Sequence, residues 1–156
     1  MCKFHARRRR SVPLLAAVLL VPVIMRADAP KFTGTWQMDE AKSQVADGRV
    51  VTLVLDASDT LVKITQTIKT KAGQESSTQF SVTMGKECDY NEGSHKSKLV
   101  AWYAGPSLNI VKSDGPPGDI ANQWVLQLSP DQKTLTLTFS HVDPAGKDET
   151  LVFNRK

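Results

Sequence analysis

Cysteine is almost absent from this chain of 156 residues, which has only Cys2 and Cys88. Cys2 falls in an N-terminal segment that reads as a cleaved leader, so Cys88 is left alone and an intramolecular disulfide is excluded. Stability has to come from a packed core. Histidine is nearly as scarce: beyond His5, the chain has only His95 and His141. There is no His-Glu-x-x-His and no cysteine pair at ligand spacing, so no metal site is expected and no cofactor is implied. No apolar run reaches the roughly 20 residues that span a bilayer, so no stable membrane span is expected in the mature form. From Arg49 onward no stretch keeps a 3.6-residue apolar stripe, which argues against long helices. Internal repeats and low-complexity linkers are missing too.

The N-terminus has its own pattern. Lys3 and Arg7 to Arg10 precede about 13 mostly apolar residues from Val12 to Ile24, and the small residues Ala27 and Ala29 follow. This is the layout of a secretory signal peptide over residues 1–29, with cleavage after Ala27 or Ala29. Pro30 fits a protease cleft poorly, which keeps the Ala27 site in contention. Arg9-Arg10-Ser11-Val12 leaves Sec and twin-arginine export both open. No cysteine follows the apolar run to accept a lipid. The expected destination is outside the cytoplasm, periplasmic or extracellular.

Removing the leader changes the charge. The chain has 20 Lys and Arg against 16 Asp and Glu, a net +4. Six of the basic residues (Lys3, Arg7 to Arg10 and Arg26) and none of the acids precede Asp28, so 14 basic residues remain against 16 acidic, or −2. Without a dense basic face, the electrostatic footprint of phosphate binding is missing, which argues against a nucleic-acid partner. About 128 residues remain, enough for one domain that buries well over half its extended surface.

Period-two alternation dominates that domain, residues 30–156. Candidate strands, rich in Val, Ile, Thr and aromatics, are Phe32 to Met38, Val50 to Asp56, Leu61 to Thr70, Ser76 to Met84, Lys98 to Tyr103, Leu108 to Lys112, Ile120 to Ser129, Lys133 to Val142 and Glu149 to Arg155. Asp39 to Gln44 is expected to form one helical turn. The links Asp56 to Asp59, Lys71 to Gln74, Ser129 to Gln132 and Asp143 to Lys147 carry turn chemistry and predict hairpins. Gly85 to Ser97 and Ser113 to Gly118 are expected as longer loops. One face of the alternation collects Val62, Ile64 and Ile68, then Phe80, Val82 and Met84, then Ile120, Trp124, Leu126 and Leu128. Leu135, Leu137, Phe139, Leu151 and Phe153 continue it. A meander of eight or nine such strands must curl, because a flat sheet leaves its apolar face and two edges uncovered; short hairpin links favour an antiparallel up-and-down barrel.

Catalytic constellations are weak. Cys88 and His95 share a polar loop but lack a third orienting group. Ser107 follows Gly105-Pro106 without the second glycine of a nucleophile elbow. Asp143, Asp148 and Glu149 cluster where a solvated hairpin tip is the simpler reading than a calcium site. Binding fits better. The inward faces carry Gln66, Asn122 and His141 among apolar neighbours such as Phe80 and Trp124, and ligand pockets are mostly apolar with a few placed polar groups. The same positions also suit a barrel filled by its own side chains. Trp102-Tyr103 would either wall a pocket mouth or cap the core.

Phe32-Thr-Gly34-Thr-Trp36 puts Gly-x-Trp on the first strand of the meander, which resembles the signature of the lipocalin-like (calycin) proteins. Gly34-Thr-Trp36-Gln-Met-Asp-Glu-Ala41-Lys-Ser43 is similar to the opening of small exported bacterial proteins with a lipocalin-like domain. Leu128-Ser-Pro-Asp-Gln-Lys133 and Leu151-Val-Phe-Asn-Arg155 resemble that group's penultimate hairpin and closing strand. The resemblance covers most of the mature chain but not Gly85 to Gly118. It implies a barrel in which Arg155 packs across Trp36, with Gly34, Trp36 and Arg155 as structural residues. It also implies a non-catalytic role in binding a small apolar or amphipathic ligand, with Gln66, Phe80, Asn122, Trp124 and His141 as lumen candidates. The alternative is a filled barrel serving as a structural or protein-interaction module of the cell envelope, with no protein partner specified by the sequence.

Overall fold

The computed structural model describes residues 31–45, 47–92, 95–115, 120–142 and 146–156, with Glu92 and His95 described by backbone alone. The expected leader, the 116–118 part of the Ser113 to Gly118 loop and Asp143 lie outside the described residues. Ten strands run in chain order: β1 (Gly34–Met38), β2 (Val50–Ala57), β3 (Leu61–Lys69), β4 (Glu75–Thr83), β5 (Cys88–Glu92), β6 (His95–Ala104), β7 (Ser107–Ser113), β8 (Ile120–Leu128), β9 (Thr134–His141) and β10 (Glu149–Arg155). They form one antiparallel sheet in the order β4-β3-β2-β1-β10-β9-β8-β7-β6-β5. Each strand pairs with its sequence neighbour except at two places. β1 pairs with β10, joining the first and last strands, while β4 and β5 are the two edges. A parallel bridge from Met84, just after β4, to Ala101 of β6 and the Gly85 amide on the Ala101 carbonyl at 2.7 Å link the β4 side of the gap to β6, so the barrel is nearly closed.

Two expectations need correction. The segment Gly85 to Ser97 is not a loop: β5 pairs with the start of β6, setting Cys88 opposite Leu99 and Tyr90 opposite Ser97. Cys88-Asp-Tyr-Asn-Glu92 has no β-branched residue, so its strand character comes from the neighbouring ladder rather than from propensity. Ile120 is not part of the inward row. Lys112 pairs with Asn122 but Ser113 pairs with Ile120, a register shift that skips Ala121. This β-bulge reverses the alternation, and Ala121 is the buried residue there. Among the described residues there is no helix. The expected helical turn is one hydrogen-bonded turn, in which the Lys42 and Ser43 amides both donate to the Asp39 carbonyl at 3.2 and 3.0 Å.

The core is densest where the chain ends meet. Trp36, Phe32, Phe153, Leu135 and Leu55 are fully buried there, and each such side chain contributes about 1.5–3 kcal/mol by leaving water. Trp36 Nε1 donates to the Phe32 carbonyl at 2.9 Å, which leaves the indole no unsatisfied donor in the apolar interior. Trp36 faces Arg155 across the β1–β10 ladder, and the guanidinium carbon lies 4.2 Å from the indole centroid. Nε of Arg155 donates to the Gln132 carbonyl at 3.0 Å, Nη1 to Thr33 at 2.7 Å and Nη2 to Lys31 at 2.6 Å. Gly34 is required beside this fork. Its φ is +148°, and a Cβ built on it would lie 2.7 Å from Nη1 of Arg155.

Candidate functional site

The ends of the barrel differ, and the difference appears in inward-facing side chains along β3, β4, β8 and β9. On β3, Val62 and Ile64 are buried, whereas Gln66 and Ile68 are only partly so. On β4, Val82 is buried, Phe80 partly buried, and Thr78 and Ser76 exposed. β8 goes from buried Leu128 and Leu126 to half-buried Trp124 and Asn122; β9 goes from buried Leu135 and Leu137 through Phe139 to exposed His141. These residues face one another across the ladders, so the gradient runs along the barrel axis: sealed at the Trp36–Arg155 end, open at the other. On β6 and β7 the inward positions stay buried to the rim, ending in Ser97 and Lys112.

Phe32 and Tyr103 close the sealed end, with ring centroids 6.0 Å apart. The Tyr103 hydroxyl donates to the Ser58 carbonyl at 3.1 Å, and burial, with the charge of Asp59, pushes its pKa up. Tyr103 therefore caps the core rather than walling a pocket mouth, and Trp102 points outward and is exposed. An open depression of about 830 Å³, bordered by Tyr103, Ser58, Asp131, Lys133 and Arg155, lies outside this plug. Several of its polar groups already have partners, such as Asp131, which accepts from Ser129 Oγ at 2.6 Å. That bond and the Lys133 amide hold the Asp131 carboxyl below its usual range.

A cavity of about 50 Å³ sits between the two ends, lined by Leu53, Ile64, Gln66, Phe80, Ile110, Trp124, Leu126 and Leu137. That is room for about one methyl group or one water. Above it, rings cross the barrel in sequence: Tyr90 of β5 to Phe80 of β4 (5.5 Å), Phe80 to Trp124 of β8 (5.6 Å), Trp124 to Phe139 of β9 (6.0 Å) and Phe139 to His141 (4.6 Å). Of the lumen candidates, Gln66, Phe80 and Trp124 therefore line the cavity floor. Asn122 and His141 face each other at the rim instead and do not border it.

Charge gathers at the rim in matched pairs. Lys112, 9% exposed on the inward face of β7, has Nζ 3.7 Å from Asp114 Oδ1 and 5.8 Å from the Tyr90 ring centroid. Arg49 bonds Asp47 at 2.8 Å and also Glu149. Burial works against the Arg49 charge, but the bond to Asp47 and the attraction of Glu149 and Asp47 outweigh it and raise the pKa. Ser97 is 4% exposed, and its Oγ is buried with no hydrogen-bond partner. Composition and motif reasoning missed Ser97, Lys112 and Tyr90. Alternation could have found Lys112, two residues beyond Ile110 on the same face.

The proposed reactive groups take structural positions. Cys88 Sγ accepts from the Thr83 amide at 3.3 Å and lies 3.7 Å from the Lys86 carbonyl, bracing the turn between β4 and β5. Glu149, one of the three clustered acids, is engaged by Arg49. Among the described residues no group of three His, Cys, Asp or Glu side chains is placed to hold a metal ion. No helix among them is long and apolar enough to cross a membrane.

No protein-family model matches the chain, and no curated protein does. Solved structures do. Apo lipid binding protein 8 of Caenorhabditis elegans is similar with a TM-score of 0.58 at 9% identity, covering 83% of this chain and 100% of that one. The wild-type fluorescent protein UnaG follows with 0.53 at 17% identity, covering 81% and 98%. A secretory abundant heat soluble protein of Ramazzottius varieornatus gives 0.57 at 9% identity, covering 82% and 97%. At these identities the likeness is one of architecture, and with the topology above it establishes the chain as an all-β barrel of the lipocalin-like (calycin) fold.

Proposed function

We propose that this protein holds a small apolar or amphipathic ligand in the open half of its barrel and releases it chemically unchanged. The axial gradient of burial carries this reading: inward-facing Phe80, Trp124 and Phe139 are only partly buried in the middle of their strands. Apolar rings that face a lumen and still meet solvent gain about 25 cal/mol for every Å² that a ligand covers. The floor cavity, about 50 Å³, is far smaller than the roughly 300–1,000 Å³ of an ordinary ligand pocket, so the ligand's bulk must occupy the cup above it. Gln66, Phe80 and Trp124 would meet its apolar part, and Asn122 and His141 would line its way in. The likeness to a protein named for lipid binding supports the reading at the level of fold. Incubating the purified protein with a mixed lipid extract and analysing what is retained tests it. Retention that Trp124→Ala diminishes is expected; retention of nothing overturns it.

The small floor cavity favours a second reading, a filled barrel acting as an interaction module of the cell envelope. Co-purification of a stoichiometric envelope protein, together with an empty lipid analysis, would select it. We further propose that the protein is exported by a bacterial secretion route, which the basic and apolar N-terminal segment and the resemblance to exported lipocalin-like proteins support. The mass of the protein recovered from the periplasm or medium checks this: loss of residues 1–27 or 1–29 is expected, and an intact N-terminus refutes it.

A further inference from the structure

The rim carries a polar corner whose composition restricts the chemistry of the ligand. Ser97 of β6 and Tyr90 of β5 face each other across the ladder, and Lys112 of β7 faces Leu99, so all three side chains lie on the inward face. Ser97 and Lys112 are diagonal neighbours, about 7–8 Å apart at Cα. Lys112 lies two residues beyond Ile110, a wall of the floor cavity, so the corner starts about 7 Å from the apolar floor along β7. That is a suitable offset between the tail and head of one amphiphile.

The corner is buried and polar, but its charge is already balanced. Lys112 faces the Asp114 carboxylate, and at the opposite rim Arg49 is matched by Asp47 and Glu149. A ligand carboxylate entering here would be a second anion beside each cation, in a site where an uncompensated charge is costly. The group that lacks a partner is neutral: the Ser97 hydroxyl, buried at 4% exposure, can donate and accept but bonds nothing. A buried hydroxyl in that state is costly, and an uncharged oxygen brought by a ligand would recover the loss.

We propose that the ligand carries an uncharged oxygen-bearing head group, a hydroxyl or ester rather than a carboxylate, bound at Ser97 beside the Lys112–Asp114 ion pair. This rests on the lumen reading above and gives that site a head-group selectivity. The test compares decane, decanol and decanoate, one tail with three ends, by Trp fluorescence and calorimetry at about pH 8, where the fatty carboxylate is ionised.

Decanol is expected to bind at least about tenfold more tightly than decanoate. Ser97→Ala should remove most of decanol's advantage over decane without lowering thermal stability, since it deletes an unsatisfied hydroxyl. Asp114→Asn, at a partly exposed position, should narrow the gap between decanol and decanoate, since it removes one anion beside Lys112. If the wild-type protein binds decanoate as tightly as decanol, the head-group proposal falls and the lumen reading stands. If Ser97→Ala leaves decanol's advantage intact, a water already satisfies the hydroxyl and the assignment to Ser97 falls. If none of the three compounds binds, the lumen reading fails and the proposal with it.

Discussion

Arg155→Ala should loosen the barrel at its seam. The guanidinium ties two separate pieces of chain to β10, donating to Lys31 and Thr33 before β1 and to Gln132 in the β8–β9 turn, while its plane covers the Trp36 indole. A cation over an indole contributes about 0.5–2 kcal/mol, and each hydrogen bond about 0.5–1.5 kcal/mol net. Partial exposure of the arginine puts the cation–π contribution toward the low end. Together the contacts amount to about 3–4 kcal/mol, a large share of the roughly 5–15 kcal/mol that holds a domain folded. For a domain of this size, the midpoint of thermal unfolding should drop by about 10–15 °C. Arg155→Lys keeps the charge but loses the planar fork, so it should recover less than half of the loss. Circular dichroism melts with urea titration as a check on the slope measure both. A loss under about 0.5 kcal/mol for Arg155→Ala would show that the seam does not depend on this residue, and the structural role given to it would be wrong.

Gly34→Ala should cost about 1–3 kcal/mol through the positive φ and the crowding of Nη1, and the cost should shrink in the Arg155→Ala background, a coupling that a double-mutant cycle reads. Trp36→Ala should cost about 3–5 kcal/mol by opening a cavity at a fully buried site, and an unchanged melt would place the indole outside the core. Acid should destabilise the protein. Asp39, bonded to Lys42 and Asn154, and Asp131, bonded to Ser129 and the Lys133 amide, are both held below the ordinary aspartate range. A depressed carboxyl contributes its stability above the unfolded pKa and loses it as pH falls through the folded one. Melting temperature is therefore expected to be flat above about pH 5 and to fall below about pH 4, and a rise on acidification would contradict these assignments.

The parts that were legible from sequence were those where alternation is unbroken. Val62-Lys-Ile64 and Thr134-Leu-Thr-Leu-Thr138 place one face in and one face out whatever the surroundings, and the meander with its hairpin links follows. Trp36 and Arg155 were legible only through a resemblance, since nothing in their spacing brings residues at opposite ends of a chain together. β5 was missed because its residues are short or polar and its pairing depends on β6, although Cys88 and Tyr90 do sit at the correct period. Ile120 was misplaced by a single-residue bulge, a register event that composition does not encode. At the candidate site, Gln66, Phe80 and Trp124 followed from their place on inward faces. Lys112 shares that alternation but carries a charge, which biases any reading toward solvent. The pairing of Lys112 with Asp114 and the isolation of the Ser97 hydroxyl are three-dimensional facts, readable only once β5, β6 and β7 lie side by side.

The central claim is a cup closed at the Trp36–Arg155 seam and open among Phe80, Trp124 and His141. Titrating isotope-labelled protein with decanol and following the backbone amides by NMR tests it most directly. The account predicts shifts along the inner faces of β3, β4, β8 and β9 toward the open rim, with the amides of Trp36, Tyr103 and Arg155 unmoved. Shifts confined to the depression around Ser58, Tyr103 and Arg155, or scattered over the outer surface, would contradict it.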